Sequence, residues 1–416
     1  MLRLPIENTL DREEKIMAEW QTVRLGEIVK TNQSTYSPKE NWQFVNYLDT
    51  GNITMNKIDE IQNINTAKDK LPSRARRKVK TNSIIYSTVR PNQLHYGIIK
   101  KQPDNFLVST GFTVIDVNYD KAVPDFIYYA LTKQEVTEQL QAIAEQSVSA
   151  YPSLKPSDIE NLELMLPDKK TQERIVAILR SIDEKIKENN AINNNLEQQT
   201  QAIFKSWFVD FELNYGIMPP DWKVSQLGSI AKISTEVFSP AKNPYVEVEH
   251  YSIPAYDEKR YPVFETSNGI KSNKYRLSSN SVMISKLNPD TKRIWRPYCI
   301  SDNPICSTEF IVYEPINPLN RDFIYSIIDS IGFSAFLCSH TTGSTNSRQR
   351  ATPSITLTYD IVVPDEKTIR AFCSIVSPMY DTIENNIKEN QKLAETRDKL
   401  LPKLMSGELD ISDIDI

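Results

Sequence analysis

Two stretches decide the fold: residues 171–208, TQERIVAILRSIDEKIKENNAINNNLEQQTQAIFKSWF, and residues 368–405, TIRAFCSIVSPMYDTIENNIKENQKLAETRDKLLPKLM. In each, apolar residues recur at seven and at four plus three positions, the spacing of helices that pack along a seam. The two stretches match at an offset of about 197 residues. The predicted seam positions are Ile175, Leu179, Ile182, Ile186, Asn189, Asn193, Leu196 and Ile203, and Phe372, Val376, Met379, Ile383, Asn386, Asn390, Leu393 and Leu400.

The match extends beyond the helices and indicates a tandem duplication. Each copy opens on a Trp-x4-Leu-Gly motif, at Trp20 and at Trp222. Shorter matches follow in the same order, including Ser-Thr-x-Phe-x-Val at 109–114 and 307–312 and Asp-Phe-Ile-Tyr at 125–128 and 322–325. With two copies the chain is a tandem pair rather than a solenoid, which needs more repeats to bury a continuous core.

The predicted architecture is α+β, with two similar globular α/β heads separated by two long helices in an antiparallel coiled coil. Strand patterns at 83–89 and 112–117 and a helical pattern at 126–143 support mixed heads. The predicted segments are an N-terminal helical segment (1–19), head 1 (20–166), a central helix (167–213), a linker (214–221), head 2 (222–364), a C-terminal helix (365–410) and a tail (411–416).

The long helices need partners, because an isolated amphipathic helix is marginal in water. If a pseudo-twofold axis relates the copies, the helices pair antiparallel, with Asn189 against Asn390 and Asn193 against Asn386. Asparagine at a seam position costs stability and fixes register. Two alternatives stay open: the asparagines face solvent, or the helices pair in parallel and place the heads side by side. Pro378 should kink the second helix.

Composition indicates a soluble, cytoplasmic protein, with 39% apolar and 25% charged residues. No signal peptide or bilayer-spanning apolar run is visible. All four cysteines lie in the second copy, so they are expected to be reduced thiols rather than a disulfide framework. Three histidines are too few for a convincing zinc site.

The sequence favours a binding protein over an enzyme. It contains no Gly-rich phosphate loop, no H-E-x-x-H and no G-x-S-x-G. Carboxylates at Asp168 and Glu173, and at Asp365 and Glu366, faintly suggest a nuclease, but acids at helix starts usually cap the helix. No catalytic, cofactor-binding or metal-binding residue is therefore predicted.

The uneven distribution of charge points to DNA. A net charge of −5 argues against a nonspecific polyanion binder, yet basic residues cluster in both heads. Basic side chains contact phosphates, while Arg, Asn and Gln can read base edges. Solvated loops, or binding to acidic protein, are the alternatives. The predicted DNA-binding residues are Arg74, Arg76, Arg77, Lys78, Arg90, Asn92, Gln93, His95, Tyr96, Ser147 and Tyr151 in head 1, and Lys286, Lys292, Arg293, Arg296, Ser344, Asn346, Arg348, Gln349 and Arg350 in head 2.

Three motifs give the chain a family resemblance: QERIVAIL at 172–179, FKSWFVDFE at 204–212 and LLPKLMSGEL at 400–409. With the Trp-x4-Leu-Gly openings, they resemble the specificity subunit of type I restriction–modification enzymes over nearly the whole chain. The second helix departs from the pattern, having Thr368-Ile369-Arg370 where the first has Gln-Glu.

The resemblance implies that each head is a target recognition domain that reads half of a bipartite site in double-stranded DNA. The helices would form the spacer that sets the gap. The subunit would be non-catalytic and would join modification (methyltransferase) and restriction (motor nuclease) subunits. S-adenosylmethionine and ATP would bind those partners. A related system with a fused methyltransferase–nuclease partner is the alternative within this class.

Overall fold

The computed structural model describes residues 20–147, 151–342, 349–409 and 411. The N-terminal helix expected at 1–19 and most of the tail lie outside these residues. The chain divides into unit 1, residues 1–183 and 395–416, and unit 2, residues 184–394. Each unit therefore combines one head with part of each long helix, rather than separating heads from helices.

Head 1 contains a four-stranded antiparallel sheet, order β2-β11-β8-β9, and a four-stranded mixed sheet, order β6-β3-β10-β7. Strands β3 and β10 are parallel, and the pairs β1–β12 and β4–β5 complete the head. The strands are β1 Gln21–Arg24, β2 Val29–Thr31, β3 Phe44–Leu48, β4 Ile53–Thr54, β5 Lys57–Ile58, β6 Gln62–Asn65, β7 Ala75–Lys78, β8 Ile84–Ser87, β9 Tyr96–Ile98, β10 Phe106–Ser109, β11 Phe112–Val117 and β12 Glu163–Leu166.

The helices of head 1 are α1 Pro124–Leu131, α2 Gln134–Glu145 and α3 Pro156–Glu160. The single helix expected over 126–143 is wrong, because the chain breaks at Thr132 and Lys133 and α2 starts anew. Helix α1 is buried on almost every side, while α2 buries only one face. The break lets both pack on the core beneath β8, β9 and β11.

The first long helix, α4, runs over Lys169–Phe208 and belongs to unit 1 up to residue 183. Asp168 caps it: its Oδ1 accepts from the Lys170 and Thr171 backbone N–H groups at 2.9 and 3.2 Å. A hydrogen bond from the Thr171 side chain, with these backbone bonds, holds the pKa of Asp168 below its usual value. Capping accounts for this carboxylate without any nuclease role.

Head 2 repeats the plan with one additional strand. Its sheets have the orders β14-β22-β19-β20 and β15-β18-β21-β16-β17, joined by the pairs β13–β25 and β23–β24. The strands are β13 Lys223–Gln226, β14 Ala231–Ser234, β15 Val237–Phe238, β16 Glu247–Tyr251, β17 Val263–Thr266, β18 Lys274–Arg276, β19 Val282–Ser285, β20 Ile294–Trp295, β21 Pro304–Ser307, β22 Phe310–Pro315, β23 Thr341–Thr342, β24 Arg350–Ala351 and β25 Asp360–Val363. Again the central pair, β16 and β21, is parallel.

The helices of head 2 are α5 Ile253–Lys259, α6 Arg321–Asp329, α7 Ile331–Ser339 and α8 Pro353–Thr356. The second long helix, α9, covers Glu366–Ser406 and passes through Pro378 without a break. Gly407 follows it at φ +77°, the left-handed conformation that ends helices and favours glycine. The matching sheets and helices confirm the α+β class and the two similar heads.

A serine that recurs at the same position in both heads stabilises the fold of each. In head 1 the Ser83 hydroxyl donates to Asp116 at 2.6 Å, and in head 2 Ser281 donates to Glu314. Both serines are fully buried, and each pins the start of one central strand to its neighbour. A buried hydroxyl needs such a partner, which explains why the residue recurs at this position.

Helix α4 ends earlier than the predicted boundary at residue 213. Phe208 packs in an aromatic cluster with Phe323 and Phe372, at ring distances of 5.1 and 5.0 Å. Phe211 then takes a left-handed conformation, φ 52°, and turns the chain toward Trp222. Burial of these aromatics ends the helix, although no proline or glycine marks the place.

In unit 2 the two long helices run antiparallel, as predicted. Asn189 Nδ2 donates to Asn390 Oδ1 at 2.9 Å, and Asn386 Nδ2 donates to Asn193 Oδ1 at 2.8 Å. Asn189 and Asn193 are 1% and 5% exposed, so they lie in the seam rather than in solvent. The parallel alternative does not fit these pairs. In unit 1 Arg397 meets Asp183 at 2.9 Å, so a charged pair replaces the apolar layer there.

Within the described residues, no single helix has the length and apolar character to cross a bilayer. Residues Pro318–Asp329 and Ile331–Ser339, bent by 64°, satisfy those criteria only as a pair.

Candidate nucleic-acid interface

The basic residues of head 1 lie on β7 and on the loop before it. Lys78 forms an ion pair with Glu40 and lies 5.1 Å from the Trp42 ring centroid. Head 2 has the same arrangement at Arg276, which pairs with Glu236 at 3.6 Å and lies 4.9 Å from the Phe238 ring. In both copies a cation on the equivalent strand, β7 or β18, is held between a glutamate and an aromatic ring. Lys78 therefore makes a structural contact within head 1, and its DNA contact stays a prediction.

Three arginines beside Lys78 are differently placed. Arg74 is exposed, and Arg76 and Arg77 are half-buried. The Arg77 Nε is buried without a hydrogen-bond partner, and burial lowers the pKa of its guanidinium. Among the described residues, none of the three forms an ion pair. This edge of head 1 therefore presents positive charge that the head itself does not neutralise.

A second loop carries Arg90, Asn92 and Gln93 to the surface, all exposed. Arg90 has left-handed backbone angles, φ 49° and ψ 69°, and its guanidinium lies 5.0 Å from the Tyr151 ring centroid. The Arg90 N–H donates to the Pro152 carbonyl at 3.1 Å. We call residues 88–93 and 151–153 the head 1 tip. Ser147 adjoins it, accepting from the Ser153 N–H at 3.3 Å.

Backbone hydrogen bonds connect the tip to the basic edge. The Thr88 N–H donates to Gly111 at 2.8 Å, and the Thr110 N–H donates to Arg74 at 2.8 Å. Arg74 and Arg90 therefore flank the short turn, Thr110 and Gly111, that joins β10 to β11. Together they form a candidate surface for a duplex, with positive charge and amide side chains adjacent.

Two predicted DNA-binding residues of head 1 belong to the scaffold instead. Tyr96 is buried in the core, 5.6 Å from the Tyr86 ring, and burial raises its pKa to about 12. The His95 Nδ1 lies 2.6 Å from the Ile53 carbonyl oxygen and so holds the neighbouring loop. The prediction for Tyr96 is wrong, because all of β9 is inside the core.

In head 2 most of the predicted basic residues that the structure describes form ion pairs. Arg293 binds Asp257 with two hydrogen bonds, of 2.6 and 2.9 Å. Arg350 likewise binds Glu309, at 3.1 and 3.2 Å. Lys292 forms an ion pair with Asp329. Among the predicted cations in the described part of head 2, Lys286 alone lacks an ion pair.

Arg296 is a structural residue, contrary to the prediction. It donates to Asp322 at 2.8 Å in head 2, and it forms ion pairs with Asp381 and Glu384 of α9 at 2.8 and 3.2 Å. Burial is the largest influence on Asp322 and raises its pKa, but the hydrogen bond and charge of Arg296, with contributions from Ser377 and Arg321, together hold that pKa below its usual value. Arg296 joins head 2 to its helix, and an isolated sequence cannot reveal those distant carboxylates.

The remaining predicted residues of head 2 are Ser344, Asn346, Arg348 and Gln349. The first three lie outside the described residues. Gln349 accepts from the Asn288 N–H at 2.9 Å through its backbone carbonyl, beside the head 2 equivalent of the tip. Sequence reasoning did not single out Asn288, although the duplication aligns it with Arg90.

The net acidity of the chain does not come from its heads. Residues 20–166 hold 17 Lys and Arg against 16 Asp and Glu, and residues 222–364 hold 15 against 13. Both heads are thus slightly basic, and the helices, linker and terminal segments carry the negative balance. Among the described residues, no cluster of three His, Cys, Asp or Glu side chains could hold a metal ion.

Comparison with known proteins gives a consistent family. Residues 17–198 match the model of the type I restriction modification DNA specificity domain. The HindI specificity subunit of Haemophilus influenzae is 26% identical over 94% of this chain and 100% of its own length. The MjaIX specificity subunit of Methanocaldococcus jannaschii is 26% identical over 77% of this chain and 76% of its own.

A solved S subunit from M. genitalium has the same fold, with a TM-score of 0.57 and 15% identity over 93% of this chain and 96% of its own. At this low identity the likeness shows the fold alone. The chain is thus similar to type I restriction–modification specificity subunits over nearly its whole length.

Proposed function

We propose that the chain is the DNA sequence-specificity subunit of a type I restriction–modification complex. Each head reads one half of a bipartite target, and the long helices set the gap. One observation carries this: the heads share sheet order, register and loop backbone, while the side chains on their loops differ. A common scaffold with divergent loops is suited to reading two different half-sites.

The proposed subunit is non-catalytic and acts in the cytoplasm. Methylation and cleavage belong to modification and restriction subunits, which would hold S-adenosylmethionine and ATP. The nearly neutral heads support such a complex, since few unpaired cations remain to contact phosphates. Partner subunits that clamp the duplex would supply the missing electrostatic affinity.

Binding to duplex DNA tests the proposal directly. We expect the chain alone to bind weakly, and the chain with its methyltransferase subunits to bind one bipartite sequence. Affinity of the complex should fall steeply with salt, because phosphate contacts release counterions. Tight specific binding by the chain alone would contradict the assignment of phosphate contacts to partners.

The spacer role has its own test. Removing one heptad from both helices should preserve the seam and shorten the gap in the target, while both half-sites stay the same. Each heptad shortens a helix by about 10 Å at 1.5 Å per residue. A change of half-site sequence with an unchanged gap would overturn the spacer assignment.

Two alternatives are distinguishable. A partner in which methyltransferase and nuclease are fused would give the same bipartite binding but one large partner chain on purification. A two-headed scaffold for acidic protein would bind protein rather than DNA. Competition between duplex DNA and protein across a salt series separates the latter from a DNA reader.

A further inference from the structure

The two tips have the same backbone. In head 1 the Thr88 and Arg90 N–H groups donate to Gly111 and Pro152, at 2.8 and 3.1 Å. In head 2 the Lys286 and Asn288 N–H groups donate to Glu309 and Gln349, both at 2.9 Å. A buried serine braces each loop, Ser87 through Val89 and Ser285 through Leu287. Arg90 and Asn288 are therefore structurally equivalent.

This shared backbone suits the two residues unequally. Arg90 and Asn288 have φ of 49° and 48°, in the left-handed region. Asparagine enters that region far more readily than residues with long side chains, because its short polar side chain can hydrogen-bond locally. Asn288 is thus the residue that the loop itself favours. Local backbone energetics do not explain an arginine at the same place.

The side chains also face different surroundings. The Asn288 Oδ1 is buried and has no hydrogen-bond partner among the described residues, so it points into the head. Arg90 is exposed, and among the described residues no carboxylate pairs with it. Its one described side-chain contact, the Tyr151 ring at 5.0 Å, restricts the guanidinium without using its hydrogen-bond donors.

A guanidinium held against a ring with its donors free is prepared for bidentate binding to a planar acceptor pair. In duplex DNA the matching pair is O6 and N7 of guanine, exposed in the major groove. The neighbouring exposed amides of Asn92 and Gln93 can contact adjacent base edges. Among the described residues near the head 2 tip there is no such group, and Lys292 and Arg293 are bound to aspartates of the same head.

We propose that Arg90 is a specificity-determining residue that reads a guanine in the half-site of head 1, and that its equivalent Asn288 reads no base. This proposal rests on the proposed DNA-specificity function, and it implies that the two heads read DNA with different parts of their structure. Head 1 reads with the tip of the loop, whereas head 2 keeps the same tip as scaffold and reads with other residues.

Methylation mapping tests this with matched variants at equivalent positions. The chain and its methyltransferase subunits modify host genomic DNA, and single-molecule sequencing reports the methylated motif. R90N installs the head 2 residue and should relax one guanine position in one half-site, with discrimination falling roughly 5- to 150-fold. Its Tm should be unchanged or higher. N288G, which keeps the backbone free to adopt φ near 48°, should leave both half-sites unchanged.

R90K separates base reading from phosphate contact, because lysine keeps the charge and loses the planar fork. We expect R90K to relax the same guanine position as R90N. Full discrimination by R90K, an unchanged motif in R90N, or an altered half-site in N288G would each overturn the proposal. A lower Tm of R90N would contradict the backbone argument. A wild-type complex that yields no bipartite motif would instead refute the proposed function.

Discussion

The two heads are built on one scaffold and differ in what they do with charge. In head 1 Arg74, Arg76 and Arg90 are left without ion pairs among the described residues. In head 2 Arg293 and Arg296 are bound to carboxylates of the same unit. A basic residue in a loop is thus a candidate for DNA contact in one copy and part of the internal architecture in the other. The ion-pair partners of a basic residue, rather than its residue type, decide which of these roles it has.

The largest expected effect concerns the contact between head 2 and helix α9. R296A leaves Asp322, whose side chain is 8% exposed, without its cation. Removal of one partner from a buried pair costs about 3–5 kcal/mol. We expect that loss in chemical denaturation of unit 2, with the DNA half-sites unaltered in whatever complex still assembles. A stability change below about 1 kcal/mol would show that α9 and head 2 are joined by other contacts.

A smaller and symmetric effect is expected at the seam. Asn193 and Asn386 share one hydrogen bond of 2.8 Å across the two helices of unit 2. N193A and N386A should each cost about 1 kcal/mol, since each leaves the other amide unpaired. The double variant should cost less than the two single losses added together. Additive losses in a double-mutant cycle would contradict the direct pairing.

Acid should affect head 2 through His250, which head 1 replaces with Tyr47 at the same register of the parallel strands. Burial lowers the pKa of His250, outweighing a 2.7 Å contact with Glu265 that raises it. The folded state therefore disfavours the proton. Stability should be full above the unfolded pKa of 6.5 and decline as pH falls toward the folded value.

H250Q should flatten the decline in stability between about pH 7 and pH 5.5, because glutamine does not titrate. Thermal unfolding across that range, with the wild type alongside, measures the difference. An equal decline in both proteins would place the titrating group elsewhere.

The smallest effect is expected at the counterpart of Arg296 in head 1. There Lys100 pairs with Asp125, the equivalent of Asp322, at 2.6 Å, but the lysine side chain is 39% exposed. Exposed pairs contribute about 0–1 kcal/mol, because solvent screens them and side-chain entropy opposes them. K100A should therefore change stability far less than R296A. Equal losses would mean that the two ion pairs contribute alike despite their different burial.

Local periodicity explains which features were predictable. The seam spacing gave both long helices, and the paired asparagines gave their antiparallel register in unit 2. The predictions failed where the structure depends on contacts between residues that are distant in the sequence. Nothing near Phe208 in the sequence predicts the end of α4, because that end depends on Phe323 and Phe372. The break between α1 and α2 depends likewise on how each packs on the core.

For the predicted interface residues, the sequence showed the chemical type of each side chain but not whether that side chain is free to contact DNA. In the sequence alone, the aromatic and polar neighbours of Arg90 and Arg296 do not distinguish the two residues. Only the fold shows Arg90 against Tyr151 and Arg296 between Asp322 and two carboxylates of α9. Aligning the two copies sets Arg90 against Asn288 in the sequence, but it does not reveal their left-handed backbone.

By itself, the sequence determined the duplication, the heptad seam and the α+β heads, because these follow from patterns repeated along one chain, and its motifs carried the resemblance to a family. The tertiary structure decided which cations remain unpaired, where helices stop and which tip presents its side chain. Those properties depend on residues far apart in sequence, whose contacts and burial exist only once the chain has folded.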